Sequence, residues 1–243
     1  MTSGSTPSPL MEASDIGLVE QAMIDIRAYI RAKRRMPGAV LPSEIALAAH
    51  SGVSRPVARE ALRGLSTLRV VDIGHGRKAR VAMPDASSLS VILDHTSYTG
   101  KLSIQQMLDV RRTLELRTVL LATIRRSDAD ATALLSVVQQ MHAALEEDQN
   151  TIMKLDITFH EVIARASGNL LYSILIESFR VITRQTWGIG WRARATDDNR
   201  LGSILCHENI ANAIMAQDAV RAEAAMNAHF DSAVNVLLRA GIT

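Results

Sequence analysis

Residues 41–71 read LPSEIALAAHSGVSRPVAREALRGLSTLRVV, and this stretch decides the fold of the first third of the chain. Gly52 lies between two short segments of helical character, and glycine interrupts a helix. Ser43 precedes the first segment and Ser54 the second, where a serine side chain can bond a free backbone N–H of the first turn. Pro56 falls in a first turn, where its missing N–H is not needed. The stretch therefore predicts two short helices joined by a turn.

The segments on either side complete this module. Residues 16–35 carry apolar side chains at helical spacing and end before a Pro-Gly pair, which predicts a helix. Two β-type runs, 70–73 and 79–83, are separated by a glycine-containing connection, which predicts a hairpin. Helices followed by a hairpin in this order make a winged helix-turn-helix domain, which we place at residues 16–84.

The composition predicts a soluble, mainly α-helical protein. Of the 243 residues, 47% are hydrophobic and only 3% aromatic, with many unbranched side chains that favour helix. The single cysteine, Cys206, excludes an internal disulfide framework and fits a reducing compartment. No apolar run approaches the roughly 18 residues of a membrane span, and residues 1–15 read as a disordered tail rather than a secretory signal. We therefore expect a cytoplasmic protein with no membrane contact.

The charge is distributed unevenly along the chain. Residues 16–84 hold 12 Lys and Arg against 5 Asp and Glu, whereas residues 85–243 hold 15 against 18. A basic module attached to a mildly acidic remainder predicts a polyanion partner. Arg55 and Arg59 are four residues apart and share one face of a predicted helix, from which they could reach guanine in a major groove or a phosphate. A solvated face is the ordinary alternative for an arginine pair.

Two further features of this module suit DNA. The N–H groups that follow Ser54 can hold a backbone phosphate. The tip of the predicted hairpin is small and positive, so that it could lie along a minor groove. This tip consists of His75, Gly76 and Arg77.

Helical periodicity dominates the rest of the chain. Residues 85–100 are a linker or contain a short helix near 87–98, and residues 101–243 form a second domain. We expect this domain to be an antiparallel bundle of six to seven helices. The predicted helices lie near 103–126, 128–148, 151–167, 169–187, 203–217 and 219–239.

Four side chains of the second domain could bind a metal. Asp156 and His160 are four residues apart and project from one helix face that is otherwise apolar. His207 and His229 lie on two later helices. One carboxylate and three imidazoles can hold a divalent transition metal, but spacing alone does not bring the last two histidines to the first pair. Each histidine taken singly is more often a core or surface residue.

The first module resembles the GntR family of bacterial transcription regulators over about residues 16–83. LPSE followed by GVSRPVAREALRGL is similar to the family's LPSExxLAxxxGVSRxxVREAL pattern, and the hairpin tip resembles that of its FadR-like members. Ile45 departs from the arginine of many members, and Arg69 from a common glycine. The resemblance implies DNA contacts from Ser43, Ser54, Arg55, Pro56, Arg59, His75, Gly76 and Arg77.

Residues of about 100–240 resemble the FCD ligand-binding domain of that branch. The similarity lies in VRRTLELRTVLLA, the DxxFH motif, ASGN and HxxI. It implies that Asp156, His160, His207 and His229 bind zinc, nickel or manganese. It also implies an effector contact from Arg111, for which an ion pair with Glu115 is the alternative, and we expect Asn169 to cap a helix and line the cavity.

Together these features predict a homodimeric transcription regulator, not an enzyme. It would bind a pseudo-palindromic operator in double-stranded DNA, and a small organic acid bound near the metal would control its operator affinity. Repression is the commoner mode in the family. Two alternatives remain: a metal-dependent enzyme that acts on a small carboxylate, and a DNA-binding protein with a purely structural metal.

Overall fold

The computed structural model describes residues 16–74, 76–146, 149–194 and 196–242. The chain divides into two compact units, Met1–Asp85 and Ala86–Thr243. This division falls one residue after the predicted boundary at residue 84. The expected disordered tail at 1–15 lies outside the described residues.

The first unit is a helical module with a small hairpin. Fully buried Ile26, Leu47 and Leu65 join its three helices in one hydrophobic core. Gly52 adopts a φ of +63° between the second and third helices, a conformation in which other residues are strained. The elements are α1 Leu18–Ala32, α2 Glu44–His50, α3 Arg55–Thr67, β1 Val71–Asp72 and β2 Arg80–Val81.

Both serines occupy the N-cap positions expected of them, but only Ser43 makes the expected side-chain bond. The Ser43 hydroxyl accepts a hydrogen bond from the backbone N–H of Ala46 at 3.3 Å and so fixes the start of α2. Ser54 occupies the N-cap of α3 without a side-chain cap bond, and Pro56 lies in the first turn. The two short helices and the turn between them lie where the sequence predicts them.

The strands of the hairpin are shorter than predicted, and the second strand also pairs on its other side. Val71 pairs with Val81 and Asp72 with Arg80. On the opposite side Val40 bridges Arg80, and the backbone N–H groups of 38 and 41 donate to carbonyls of the second strand's run. Residue 75, at the predicted tip, lies outside the described residues.

The second unit is a helical bundle whose described part beyond residue 100 has seven α-helices, within the six to seven expected, and the short helix expected near 87–98 precedes them. A short 3₁₀ turn, Ala144–Glu146, follows the second of the seven. The helices are α4 Ser87–Tyr98, α5 Ile104–Arg125, α6 Asp128–Ala143, α7 Gln149–Ala166, α8 Leu170–Ser178, α9 Arg180–Ala193, α10 Asp197–Met215 and α11 Ala219–Arg239.

Two predicted boundaries of this unit were wrong. The single helix expected at 169–187 is two helices that meet at Phe179, whose side chain is buried beside Met107 and Ile182. The sequence has no glycine or proline at this break. The break coincides instead with the packing of the Phe179 side chain against the bundle. The polar stretch 192–200, expected to be a connection, contains the start of α10, and the Thr196 hydroxyl caps that helix through the Asn199 N–H at 3.3 Å.

The main core of the second unit lies between α5, α6, α7, α10 and α11. Phe159, Ile163, Ile210 and Phe230 are among its buried side chains. Polar side chains that face inward from α5, α7 and α10 are therefore held in a water-poor environment. Within the described ranges, none of the helices is both long and apolar enough to cross a membrane.

The first unit's core gives a test of this fold. We predict that Ile26→Ala, which removes a fully buried side chain, destabilises the first unit by about 2–5 kcal/mol. Ile24→Ala on the same helix, where the side chain is 40% exposed, should cost less than about 1 kcal/mol. Native-state hydrogen exchange of the α1–α3 amides measures both. Equal effects of the two substitutions would contradict the assigned core face of α1.

Candidate DNA-binding surface and metal centre

The outward face of α3 carries the arginine pair that the sequence indicates. The side chains of Arg55 and Arg59 are 57% and 44% exposed. Ala58, Leu62 and Leu65 on the other face are buried. The apolar face thus anchors α3 in the unit while the guanidinium groups stay accessible to a partner.

An open cleft of about 610 Å³ lies between the start of α2, helix α3 and the hairpin. Its walls are strongly basic, because Arg63 and Lys78 add to the predicted contacts. Such a concave basic surface suits a polyanion. The predicted DNA-contact residues that line it are Ser43, Arg55, Arg59, Gly76 and Arg77.

The other predicted DNA contacts are not among the described residues that line the cleft, apart from Gly76. Ser54 and Pro56 stand at the start of α3, where the first backbone N–H groups have no partner within the helix. Gly76 has a φ of +67°, consistent with a tight turn in the hairpin connection. His75 lies outside the described residues, so its predicted contact stays a prediction.

Sequence reasoning missed Glu44, an acidic residue in this basic cleft. Its carboxylate accepts hydrogen bonds from both Arg55 and Arg59. These bonds, first that from Arg59 and then that from Arg55, hold the pKa of Glu44 below its ordinary value. The ion pairs span 11 and 15 residues of sequence, so no local spacing rule indicates them.

The four predicted metal ligands come together in the second unit. Asp156 and His160 lie on α7, His207 on α10 and His229 on α11. One ligand atom from each residue can be chosen so that all four lie within 4.8 Å of one another. Two ligand atoms on opposite sides of a metal ion are about 4.2 Å apart. Small movements of the side chains would therefore bring all four ligand atoms to bonding distance of one ion.

The contacts of His207 require either a second proton or a metal ion between its ring and Asp156. Its Nδ1 lies 2.9 Å from the Ser203 carbonyl oxygen, which can only accept, so Nδ1 carries the proton. In the neutral ring, Nε2 then directs its lone pair toward Oδ1 of Asp156, 2.9 Å away. Two acceptors at this distance repel each other unless a second proton or a metal ion lies at the lone pairs.

The ring of His160 leads to the same conclusion. Its Nδ1 donates to Glu115, a buried carboxylate that also accepts from Arg111 Nε at 2.6 Å. Its Nε2 is buried without a hydrogen-bond partner and lies 3.9 Å from Oδ1 of Asp156. A buried lone pair without a partner is costly, and a carboxylate behind a histidine is the usual way to orient a metal-bound imidazole. The residues therefore fit a metal ion.

The protonation states also suit a metal, since metal ligands must be deprotonated. Burial raises the pKa of Asp156, but the contact with His207 and the electrostatic effect of the neighbouring histidines lower it further, leaving it well below its ordinary value. Burial, followed by repulsion from His207 and His160, holds the pKa of His229 well below that of a free imidazole. The cluster thus contains an ionised carboxylate and a neutral imidazole.

A small cavity of about 70 Å³ adjoins this cluster. Asp156, His229 and Arg111 all line it. Arg111 makes the ion pair with Glu115 that was the alternative expectation, and its Nη1 also donates to the Thr183 hydroxyl at 2.8 Å. The guanidinium is thus held at the cavity wall rather than turned away from it.

The expected position of Asn169 at the cavity is not supported. Its side chain is exposed and caps α8 by accepting from the Leu171 N–H at 3.0 Å. It is absent from the described cavity lining, because the capping geometry directs the amide to the start of α8. Only the helix-cap part of the expectation agrees with the structure.

Comparison with known proteins identifies the class. Residues 18–81 match the model of bacterial regulatory proteins of the gntR family, and residues 106–232 match the FCD domain. The chain is therefore a DNA-binding transcription regulator, not an enzyme. It belongs to the GntR family and carries the FCD domain of the FadR-like branch.

Individual relatives agree with this assignment. The chain is 32% identical over 209 residues to the HTH-type transcriptional regulator LutR of Bacillus subtilis, covering 83% of this chain and 92% of LutR. It is 27% identical over 233 residues to the transcriptional repressor NanR of Edwardsiella tarda, covering 92% and 85%. The solved structure of a Streptococcus agalactiae GntR protein aligns with a TM-score of 0.65 at 26% identity, covering 88% of this chain and 97% of that one.

The cluster predicts a metal-binding phenotype for its histidines. We predict that His207→Ala weakens binding of zinc, nickel or manganese by at least about 100-fold, because it removes one of four ligands. Elemental analysis and metal titration of the purified full-length chain measure this. His142→Ala is the matched control, since His142 is half-exposed and bonds Glu208 outside the cluster. Unchanged metal content in the His207 variant would contradict the site.

Proposed function

We propose that this regulator is a homodimeric repressor whose operator affinity is controlled by a small organic acid bound beside a divalent metal. The observation that carries this proposal is the cluster of Asp156, His160, His207 and His229 with an adjoining cavity lined by Arg111. It lies in a unit separate from the DNA-binding module. A site with this chemistry in a regulator is suited to sense a metabolite.

The DNA-binding module would read an operator through α3. Arg55 and Arg59 would enter the major groove, where a guanidinium can donate to guanine O6 and N7 or to a phosphate. The hairpin with Gly76 and Arg77 would lie along the adjacent minor groove. A two-fold dimer would place two such modules on half-sites one helical turn apart, which requires a pseudo-palindromic operator. Because the proposed target is chromosomal DNA, we place the protein in the cytoplasm.

The metal would be held by Asp156, His160, His207 and His229. When bound, it supplies positive charge and, where coordination positions remain open, sites for carboxylate oxygens. Glu115 orients His160 from behind and also fixes Arg111. Arg111 would donate to the carboxylate of the effector from the cavity wall. This division of roles gives each buried charge a partner.

The cavity limits the size of the effector. A cavity of about 70 Å³ holds several water molecules, since each needs roughly 10–15 Å³ of such space. An acid of only a few carbon atoms fits without rearrangement. We therefore expect short organic acids to bind in preference to sugar acids.

Effector and operator binding would be linked through the protein. An acid that binds better to one conformation of the dimer shifts the population toward it, and operator affinity changes by the same free energy, typically about 1–3 kcal/mol. NanR is a repressor by name, which favours repression as the mode. The cavity beside the ligands favours this function over a purely structural metal.

The DNA contacts can be tested by alanine substitution. We predict that Arg55→Ala and Arg59→Ala each weaken binding to a selected operator by about 1–3 kcal/mol or more, because each removes a base or phosphate contact from the major groove. Fluorescence anisotropy with an operator obtained by in vitro selection measures the change. Arg27→Ala on α1 removes the same charge from an exposed position outside the described cleft lining and should change binding little. Operator affinity that is unaltered in both α3 variants would refute the assignment.

Effector binding can be tested by thermal stabilisation. We predict that certain short organic acids stabilise the metal-loaded protein by about 2.7 kcal/mol at 100 times their Kd, and the metal-free protein far less. Arg111→Lys should reduce the stabilisation, because an ammonium cannot bind a carboxylate in bidentate fashion. A panel of organic acids, sugar acids and amino acids covers the candidates. No stabilisation by any acid would favour a structural metal instead.

A further inference from the structure

We propose that Glu44 is a positioning residue of the DNA-binding surface, which holds Arg55 and Arg59 in one fixed arrangement and lowers affinity for non-cognate DNA. This inference rests on the proposed function, in which those two arginines contact DNA. It assigns a role to an acidic side chain that charge complementarity alone would exclude from a DNA-binding cleft.

One carboxylate bridges both guanidiniums. Oε2 of Glu44 accepts from Arg55 Nε at 3.1 Å and from Arg59 Nη2 at 3.1 Å, and Arg59 Nε lies 3.2 Å from both carboxylate oxygens. All of these bonds use the Nε side of the guanidinium groups. The outer edge of each group, which includes Nη1, points away from the carboxylate and is the edge that can donate to a base.

The place of Glu44 in the fold makes this bridge well defined. It is the first residue of α2, directly after the Ser43 cap, so its backbone is fixed by the hydrogen bond between the Ser43 hydroxyl and the Ala46 N–H. Its side chain is 33% exposed, less than either arginine. The two arginines are one turn apart on α3, so a single carboxylate can reach both.

The surroundings explain why an acidic residue is informative here. Arg63, Arg77 and Lys78 line the same cleft, so Glu44 lies in a positive field. A negative charge in this position weakens the attraction of any phosphate backbone, which is the sequence-independent part of DNA binding. The same charge restricts the arginine side chains before DNA arrives, so less rotamer freedom is lost when they meet bases.

Glu44 therefore lowers the affinity for DNA of any sequence and increases the discrimination between cognate and non-cognate DNA. Without it, the two arginines would bend freely toward phosphates of any sequence. With it, their outer edges face the partner in one geometry, which suits base edges at a fixed spacing. The pKa of Glu44 is lowered by its two arginine partners, so the carboxylate is ionised throughout the neutral range.

The test compares Glu44→Gln with Glu60→Gln in the full-length protein. Both substitutions remove one negative charge, but Glu60 bonds only Arg63 among its described hydrogen-bond partners and its side chain is 54% exposed. Fluorescence anisotropy would give the Kd for the selected operator and for a duplex in which the guanines of each half-site are replaced. The ratio of these two values is the discrimination.

We expect Glu44→Gln to tighten binding to the altered duplex by several-fold and to lower the discrimination by about 10-fold. It should also steepen the dependence of log Kd on log salt by up to about 0.9, the value for one further phosphate contact. Glu60→Gln should change both Kd values by a similar factor and keep the discrimination of the wild type. Discrimination that is unchanged in Glu44→Gln, or that falls equally in both variants, would overturn the proposal.

A third variant separates position from charge. Glu44→Asp keeps the negative charge but shortens the side chain, so that one carboxylate no longer reaches both arginines. We expect it to lower the discrimination without tightening binding to the altered duplex. Wild-type discrimination in this variant would show that charge alone accounts for Glu44 and would refute the positioning role.

The same measurements distinguish this inference from the proposed function. If Arg55→Ala and Arg59→Ala leave operator affinity unchanged, the proposed DNA contacts fail. If those variants lose affinity while Glu44→Gln keeps wild-type discrimination, only the role of Glu44 fails. Native-state hydrogen exchange of α1–α3 establishes for each variant that the module is folded.

Discussion

The second unit depends on one constraint, which is that a buried carboxylate faces three imidazoles, two of them buried. Asp156 is held within reach of His160, His207 and His229 from three helices, in surroundings that give little access to water. Buried polar groups are stable only when each has a partner, and here the facing lone pairs are partnered by a cation or a proton. The packing of α7, α10 and α11 is therefore tied to what the cluster binds.

A chain of hydrogen bonds extends this constraint to the cavity. Glu115 on α5 joins His160 to Arg111, and Arg111 continues to Thr183 on α9. A ligand that takes up the Arg111 guanidinium would alter contacts on α5, α7 and α9 together. This connectivity is a physical route by which a ligand at Arg111 could affect the packing of these three helices. The first unit uses the same chemistry on its surface, where Glu44 joins two arginines.

The sequence predicts the parts of this molecule that depend on local rules. Serines at two helix starts, a glycine between two helical segments and a four-residue spacing indicate α2, α3 and the Asp156–His160 pair in advance. His207 could be joined to that pair only by family resemblance, since bundle geometry, not spacing, brings it there. The resemblance also places the two domains, whose family matches cover most of the chain.

What the sequence could not give depends on long-range packing. The bond between His160 and Glu115 and the bonds of Glu44 to two arginines join different elements, so no local spacing indicates them, although spacing does indicate the pair of Arg111 and Glu115. The break between α8 and α9 lies at a buried phenylalanine without a glycine or proline. Asn169 was expected both to cap and to line the cavity, but a side chain whose oxygen caps its own helix is directed away from the bundle interior.

The most direct test of the account is the reciprocity of effector and operator binding in the metal-loaded protein. The operator Kd is measured with and without a saturating acid from the thermal panel, and the acid Kd with and without operator. The account predicts that both Kd values change by the same factor, about 5–150-fold. An acid that binds beside the metal but leaves the operator Kd unchanged would contradict it.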